Sequence, residues 1–414
     1  MDYFHYQQQA LYVEEREIAA LALQFGTPLY IYSRATLERH YRVFDEAFGQ
    51  HPHRICYAVK ANSNIAVLNL LTRLGSGFDI VSGGELARVL AAGGEAKKIV
   101  FSGVGKLEWE IEHALAADVF CFNIESKAEL ERLDQIARRM NKVAAIAIRV
   151  NPDIDAKTHP YIATGLKENK FGVAIDEALA LYRQASLKKA IHIIGIGCHI
   201  GSQLLELEPF VAACRRLMEL IKQLQQENIN IQHMDVGGGL GVRYKNEMPA
   251  SPADYVKALQ SIIPSNLEIM IEPGRAIIAN AGILVTRVEY IKETADKNFA
   301  IVDAGMNDFL RPALYSAEQE IISVLLHKNA TNKKYDIVGP VCETADFLGK
   351  DCLLSLQAGD LVAIRTAGAY GFVMSSNYNT RTRAAEIMVD GKEVYLIRAR
   401  EKIEELFKTE ALLP

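Results

Sequence analysis

Residues 191–199 read IHIIGIGCH, residues 207–228 read LEPFVAACRRLMELIKQLQQEN, and residues 231–236 read IQHMDV. The order is strand, helix, strand. The two short runs are unbroken in their apolar character rather than alternating. That is how parallel strands read when helices cover their sheet. The same unit recurs on both sides of this stretch. RICYAVK (54–60), GFDIV (77–81), KIVFS (98–102), DVFCFNI (118–124), VAAIAIRV (143–150) and LEIMIE (267–272) are further strands. SNIAVLNLLTRL (63–74) and GGELARVLAA (83–92) are helical stretches between them. Eight β/α units in about 220 residues match a (β/α)8 TIM barrel. An open doubly wound sheet is the rival, but its phosphate fingerprints are missing.

After about residue 280 the pattern changes. ILVTRVEYIKE (283–293), NFAIVDA (298–304), KYDIVG (334–339), DLVAIRT (360–366), AAEIMVD (384–390) and EVYLIRA (393–399) are strands with few helices between them. They predict a separate C-terminal β-rich domain, a barrel or sandwich. TPLYIYS (27–33) reads as a strand outside the barrel. The expected division is an N-terminal segment 1–33 joining the β domain, a barrel at 34–280, and the β domain at 281–414.

Composition narrows the function. The 414 residues are 50% hydrophobic and 23% charged, with a formal net charge of −5. That is a globular mix with no basic excess for nucleic acid or an anionic membrane. The opening MDYFHYQQQALYVEER is polar, and no apolar run approaches the ~18 residues of a membrane span. Six cysteines without a C-x-x-C pair point to a reducing, cytoplasmic setting rather than disulfides or zinc. GVGK (103–106) lacks the first glycine and the hydroxyl residue of a P-loop. Gly195 and Gly197 are followed by Ile200, not by a third glycine. No histidine spacing fits a metal site, and no metal is expected.

Barrel chemistry collects at the C-terminal ends of the strands. There the sequence places Lys60, Asp79, His199, Gly237-Gly238-Gly239, and Glu272-Pro273-Gly274-Arg275. Lys60 alone is a snorkelling strand-end lysine. In this company it reads as a Schiff-base amine, activated by desolvation and neighbouring positive charge. Three consecutive glycines cost conformational entropy, which bare N–H groups approaching an anion would explain. With Ser202, that anion would lie over strands six to eight. Glu272 pairs either with Arg275 or with a protonated pyridine nitrogen. His199 is either a core histidine or a flat surface for the ring. Together these groups are what pyridoxal 5′-phosphate (PLP) requires.

The segments YAVKAN (57–62), FDIVSGGE (78–85), KFG (170–172), HIGSQ (199–203), DVGGGLG (235–241) and EPGR (272–275) resemble the barrel-type PLP-dependent decarboxylases. DAGMNDFLRPALY (303–315), GPVCETADFL (339–348) and AGAYGFVMSSNYN (367–379) extend the resemblance to the branch that acts on diaminopimelate. The resemblance implies conversion of meso-2,6-diaminopimelate to L-lysine and carbon dioxide. It implies Lys60 as the PLP-bearing amine, with Asp79 among the cofactor contacts. Gly237, Gly238, Gly239, Ser202 and the Pro273–Arg275 backbone would hold the phosphate. Glu272 would face the ring nitrogen, His199 the ring, and Tyr370 both phosphate and substrate. Arg275, Arg311 and Tyr315 would take the far carboxylate, and Glu343 the far ammonium. Arg311, placed before a proline, is expected on a fixed loop. Cys342 would return the proton. Cys342 and Glu343 would come from the neighbouring subunit of a homodimer. Asn169 before KFG, and Thr344 and Ala345, depart from the commoner Ser, Ser and Gly without removing a functional group. The rivals are a relative acting on ornithine, arginine or a carboxylated polyamine, a racemase on the same barrel, and a regulator that has lost its cofactor.

Overall fold

The computed structural model describes residues 2–154, 170–327 and 331–414. The departure at Asn169 lies outside them. The chain forms two units. One comprises His40–Val242 and Met248–Ala276, the other Met1–Arg39, Arg243–Glu247 and Ile277–Pro414.

In the first unit the apolar runs become parallel strands: β1 His53–Ala58, β2 Gly77–Ile80, β3 Ile99–Phe101, β4 Cys121–Ile124, β5 Ala144–Asn151, β6 Ile191–Gly197, β7 His233–Asp235 and β8 Glu268–Ile271. Each pairs with the next, and β8 pairs back onto β1 with Ile271 opposite Ile55. The described residues therefore hold a closed eight-stranded parallel barrel, the expected (β/α)8 architecture. Closure leaves no strand edge unpaired. Inside, Cys56, Val100 and Met270 form one buried cluster and Cys121, Ala147 and Ile194 another, with Phe120 packed against both. The barrel is thus plugged by side chains, as its kind requires, and open space is left to the C-terminal rim.

The turns that leave that rim are fixed by capping. Asn64 accepts from Ala66 N–H at 3.0 Å, and Ser82 from Glu85 N–H at 3.2 Å. Ser126 accepts from Glu129 N–H at 3.1 Å. Each side chain satisfies a first-turn amide that would otherwise lack a partner. The strand ends are thereby held where the next helix begins.

In the second unit Leu29–Ser33 is buried along its whole length. It lies between Gly282–Glu293, antiparallel, and Ala385–Asp390, parallel. Leu29, Ile31, Ile283, Val285, Ile387 and Val389 fill the core beside it. Phe4–Gln7, Ala10–Val13 and Arg16–Glu17 form a small antiparallel sheet that the sequence reading missed. Its inward residues, Phe4, Leu11 and Val13, join the same core. Among the described residues no helix is long and apolar enough to cross a membrane, and no cluster of His, Cys, Asp or Glu is arranged to hold a metal.

Candidate active site

The register of the barrel sets the site. Ala58 on β1 lies opposite Asp79 on β2, so Lys60, in the turn Val59–Ala61, passes directly over Asp79. Lys60 Nζ donates to Asp79 Oδ2 at 2.9 Å. The carboxylate is fully buried, whereas the lysine side chain is 41% exposed. The reading of a desolvated amine beside positive charge is therefore corrected. The nearest charge is an acid, because β1 and β2 pair in a register that puts Asp79 under the turn.

Around Lys60 a cavity of about 420 Å3 opens at the rim, lined also by Asn123, Arg149, His199, Asp235 and Glu272. That volume lies within the ~300–1,000 Å3 of small-molecule sites. Glu272 follows β8 and is buried. Asn123 Nδ2 reaches Glu272 Oε1 at 3.4 Å and Asp235 Oδ2 at 3.3 Å. Asn123 thus bridges the two carboxyl groups. Burial raises Glu272 well above the usual carboxylate range, and the Asp235 and Asp79 carboxylates add to that. Burial likewise pushes Asp235 up to about 6. Two carboxyl groups desolvated together cannot both ionise cheaply, which favours the protonated form of Glu272. The sequence alternative of a Glu272–Arg275 ion pair gives way to these partners. Arg275 instead donates to Ser202 Oγ at 2.8 Å.

His199 ends the β6 run. Its Nδ1 accepts from Gly238 N–H at 3.2 Å, which requires a bare Nδ1 and places the ring proton on Nε2. Burial holds its pKa well below the ordinary histidine value, with Arg149 and Lys60 contributing in the same direction. The ring is therefore a neutral, fixed plate.

The triple glycine is needed for close approach. A Cβ on Gly237 would stand 2.6 Å from Cys198 O, on Gly238 2.4 Å from Glu272 O, and on Gly239 2.5 Å from Gly201 O. Gly237 and Gly239 also have φ of +71° and +112°. Two of the three amides are committed within the chain, Gly237 N–H to Asp235 Oδ1 at 2.9 Å and Gly238 N–H to His199. Among the described residues Gly239 N–H meets no acceptor. The cradle is accordingly narrower than three bare amides, with Gly239 and the hydroxyl of Ser202 as its donors. Gly274 lets the end of β8 lie on the end of β1, since a Cβ there would meet Ala61 Cβ at 2.9 Å, and Pro273 O accepts from Ala58 N–H at 3.3 Å.

The strand-end rule also reaches residues the sequence reading passed over. Asn123 and Asp235 lie inside β4 and β7, Arg149 inside β5. Arg149 pairs with the buried Glu125 at 3.1 Å and lies over the Phe171 ring of KFG at 4.8 Å. Inspecting the last polar residue of every strand, rather than of five, would have found all three.

The remaining predicted residues belong to the β-rich unit. Arg311 is buried, and its guanidinium carbon lies 5.4 Å from the Tyr244 ring, 5.7 Å from Tyr315 and 5.8 Å from Tyr370. It opens the short helix Arg311–Tyr315 rather than sitting on a loop. The proline that was expected to exclude a helix occupies the first turn, where its missing N–H costs nothing. Tyr370 has a left-handed backbone, φ +55°. Cys342 is exposed and its N–H donates to Asn379 Oδ1 at 3.1 Å. Glu343 accepts from Tyr378 Oη. The buried Asp346 carboxylate holds the Val341 and Met306 amides at 2.7 and 2.6 Å, which fixes the base of that loop. Thr344 and Ala345 sit exposed on its turn.

The residues fit PLP. An amine, a neutral plate and a buried acid face one cavity, and Asn123 Oδ1 is buried on its wall without a partner; Gly238 N–H ties the glycine loop to that plate. Residues 34–279 match the family described as pyridoxal-dependent decarboxylase, pyridoxal binding domain. The barrel and its rim thus define a PLP-dependent decarboxylase. The chain belongs to the diaminopimelate decarboxylase family. It is 58% identical to the diaminopimelate decarboxylase of Vibrio cholerae over 100% of both chains. The crystal structure of the Helicobacter pylori diaminopimelate decarboxylase complexed with L-lysine is 44% identical, with a TM-score of 0.92 over 95% of this chain and 99% of that one. That of M. jannaschii, also in co-complex with L-lysine, is 35% identical, with a TM-score of 0.95 over 100% and 98%.

Proposed function

We propose that this chain decarboxylates meso-2,6-diaminopimelate to L-lysine and carbon dioxide, with PLP as cofactor. The observation that carries the reading is the convergence of Lys60, His199 and Glu272 on one cavity. In this reading Lys60 Nζ is the amine that holds the cofactor aldehyde, with Asp79 as its counter-charge. Gly239 and Ser202 hold the phosphate, helped by the Pro273–Arg275 backbone. His199 supports the ring and Glu272 faces its nitrogen. The chemistry that PLP supplies when bound is a sink for the electron pair released as carbon dioxide leaves.

The chain's own residues do the rest. Burial and the neighbouring carboxylates favour a proton on Glu272, at the position where a ring nitrogen needs one. Neutral His199 adds no competing charge against the ring. Cys342 returns a proton to the carbon that lost its carboxylate, and its anchored amide fixes where the thiol is presented. Arg275, Arg311 and Tyr315 take the far carboxylate of the substrate, and Tyr370 approaches the cofactor phosphate and the substrate. Glu343, held by Tyr378, takes the far ammonium. Ornithine carries only an ammonium there and would leave the arginines unmatched. Charge-assisted hydrogen bonds contribute about 1.5–3 kcal/mol each, so losing two disfavours ornithine at least a hundredfold. Cys342 and Glu343 serve the neighbouring subunit of a homodimer, which is consistent with their exposure in a single chain. The setting is the cytoplasm, consistent with six free cysteines.

Steady-state carbon dioxide release from meso-diaminopimelate, ornithine, arginine and a carboxylated polyamine tests the assignment. The expected result is at least a hundredfold preference in kcat/KM for meso-diaminopimelate. Equal or better turnover of any other member of the panel overturns it.

A further inference from the structure

Behind Glu272 the backbone and side chains close a ring of hydrogen bonds. Glu272 N–H donates to Gly237 O at 2.9 Å. Gly237 N–H donates to Asp235 Oδ1 at 2.9 Å. The Asp235 and Glu272 carboxyl groups are bridged by Asn123 Nδ2. Asn123 is itself braced against Ser102 Oγ at 3.1 Å. Room for this arrangement comes from Gly197, the register partner of Asp235, where a Cβ would lie 3.2 Å from Asp235 Cβ.

We propose that Asp235 is a positioning residue of the cofactor site, joining Glu272 to the first amide of the glycine loop so that one side chain sets both the ring end and the phosphate end. The inference rests on the PLP reading above and deepens it. Asp235 is 2% exposed and acts through its neighbours. Its Oδ1 fixes the loop, and its Oδ2 shares Asn123 Nδ2 with Glu272 Oε1. A strand-end aspartate with only a folding role would have no reason to link those two groups.

The two halves separate by mutation. In Asp235→Asn the amide oxygen can still accept from Gly237 N–H, but an amide nitrogen replaces the oxygen that accepts from Asn123, which breaks the bridge to Glu272. Asp235→Ala loses both contacts. PLP affinity is measured by absorbance on the full-length chain stripped with hydroxylamine and refilled, and kcat and KM by carbon dioxide release. We expect Asp235→Ala to raise the PLP Kd at least tenfold and Asp235→Asn to leave it within threefold. Both should lower kcat at least tenfold, with KM within threefold. The proposal is overturned if Asp235→Ala binds PLP within threefold of wild type, if Asp235→Asn loosens PLP as much as Asp235→Ala, or if Asp235→Asn keeps wild-type kcat. If circular dichroism shows Asp235→Ala unfolded, Asp235→Asn decides alone. Tight PLP with low kcat then supports the proposal, and any other pattern defeats it. Wild-type turnover of meso-diaminopimelate is the control. Its absence would refute the substrate reading while leaving the comparison of PLP affinities standing.

Discussion

Arg311→Ala removes a buried cation that three tyrosine rings surround at 5.4–5.8 Å. The rings hold the guanidinium in place through its attraction to their faces. A substrate carboxylate meeting it gains a charge-assisted hydrogen bond of about 1.5–3 kcal/mol, which is about 10- to 150-fold in affinity. The interaction is made equally before and during the chemical step. Its loss should therefore raise KM for meso-diaminopimelate by that factor and leave kcat within about threefold. Steady-state carbon dioxide release gives both constants. The absorbance of bound PLP, and a melting curve within a few degrees of wild type, show that the variant is folded and loaded. Arg311→Lys keeps the charge but not the planar fork, and should fall between the two. If KM is unchanged in Arg311→Ala while PLP stays bound, Arg311 serves only its tyrosine surround and the assignment is wrong.

Two further expectations follow from buried titratable groups. Glu272→Gln should lower kcat on the order of 100-fold with little change in KM, because the amide cannot supply the carboxyl proton. A variant that loses KM instead would make Glu272 a binding group. His233 is held down to about 3 by burial, with Arg54 adding to the effect. Its folded form is neutral, so its contribution to stability is present above about pH 6.5 and is lost as pH falls towards about 3. The slope cannot exceed about 1.4 kcal/mol per pH unit. Urea midpoints measured from pH 7 to pH 4 should fall less steeply in His233→Asn, and equal slopes would exclude the histidine as the cause.

The barrel was legible because each strand is an apolar run flanked by a helix. KIVFS and IQHMDV lose a residue or more at their ends, to Ile99–Phe101 and His233–Asp235, but not their identity. Lys60, His199 and Glu272 stood out because each ends its run with a polar group. Asn123, Arg149 and Asp235 did not, since each sits among apolar neighbours that mask it. The strand Phe347–Leu354 also escaped. Gly349, Lys350 and Asp351 interrupt its apolar pattern, and its pairing to Lys333–Val338 is irregular. The three-stranded N-terminal sheet escaped for a related reason. Its inward residues, Phe4, Leu11 and Val13, are few, and the polar residues between them hide the strand alternation. The proline of RPALY was read as barring a helix, when at a first turn it helps to begin one.

The strand Leu29–Ser33 precedes the barrel in the chain, and its parallel neighbour Ala385–Asp390 follows it. A ribosome must therefore finish the entire barrel sequence before this buried ribbon can be hydrogen-bonded on both sides. Until then it is an unpaired edge of the kind that recruits other chains. Losing Ala385–Asp390 would therefore strip one side of a strand that the chain places before the barrel.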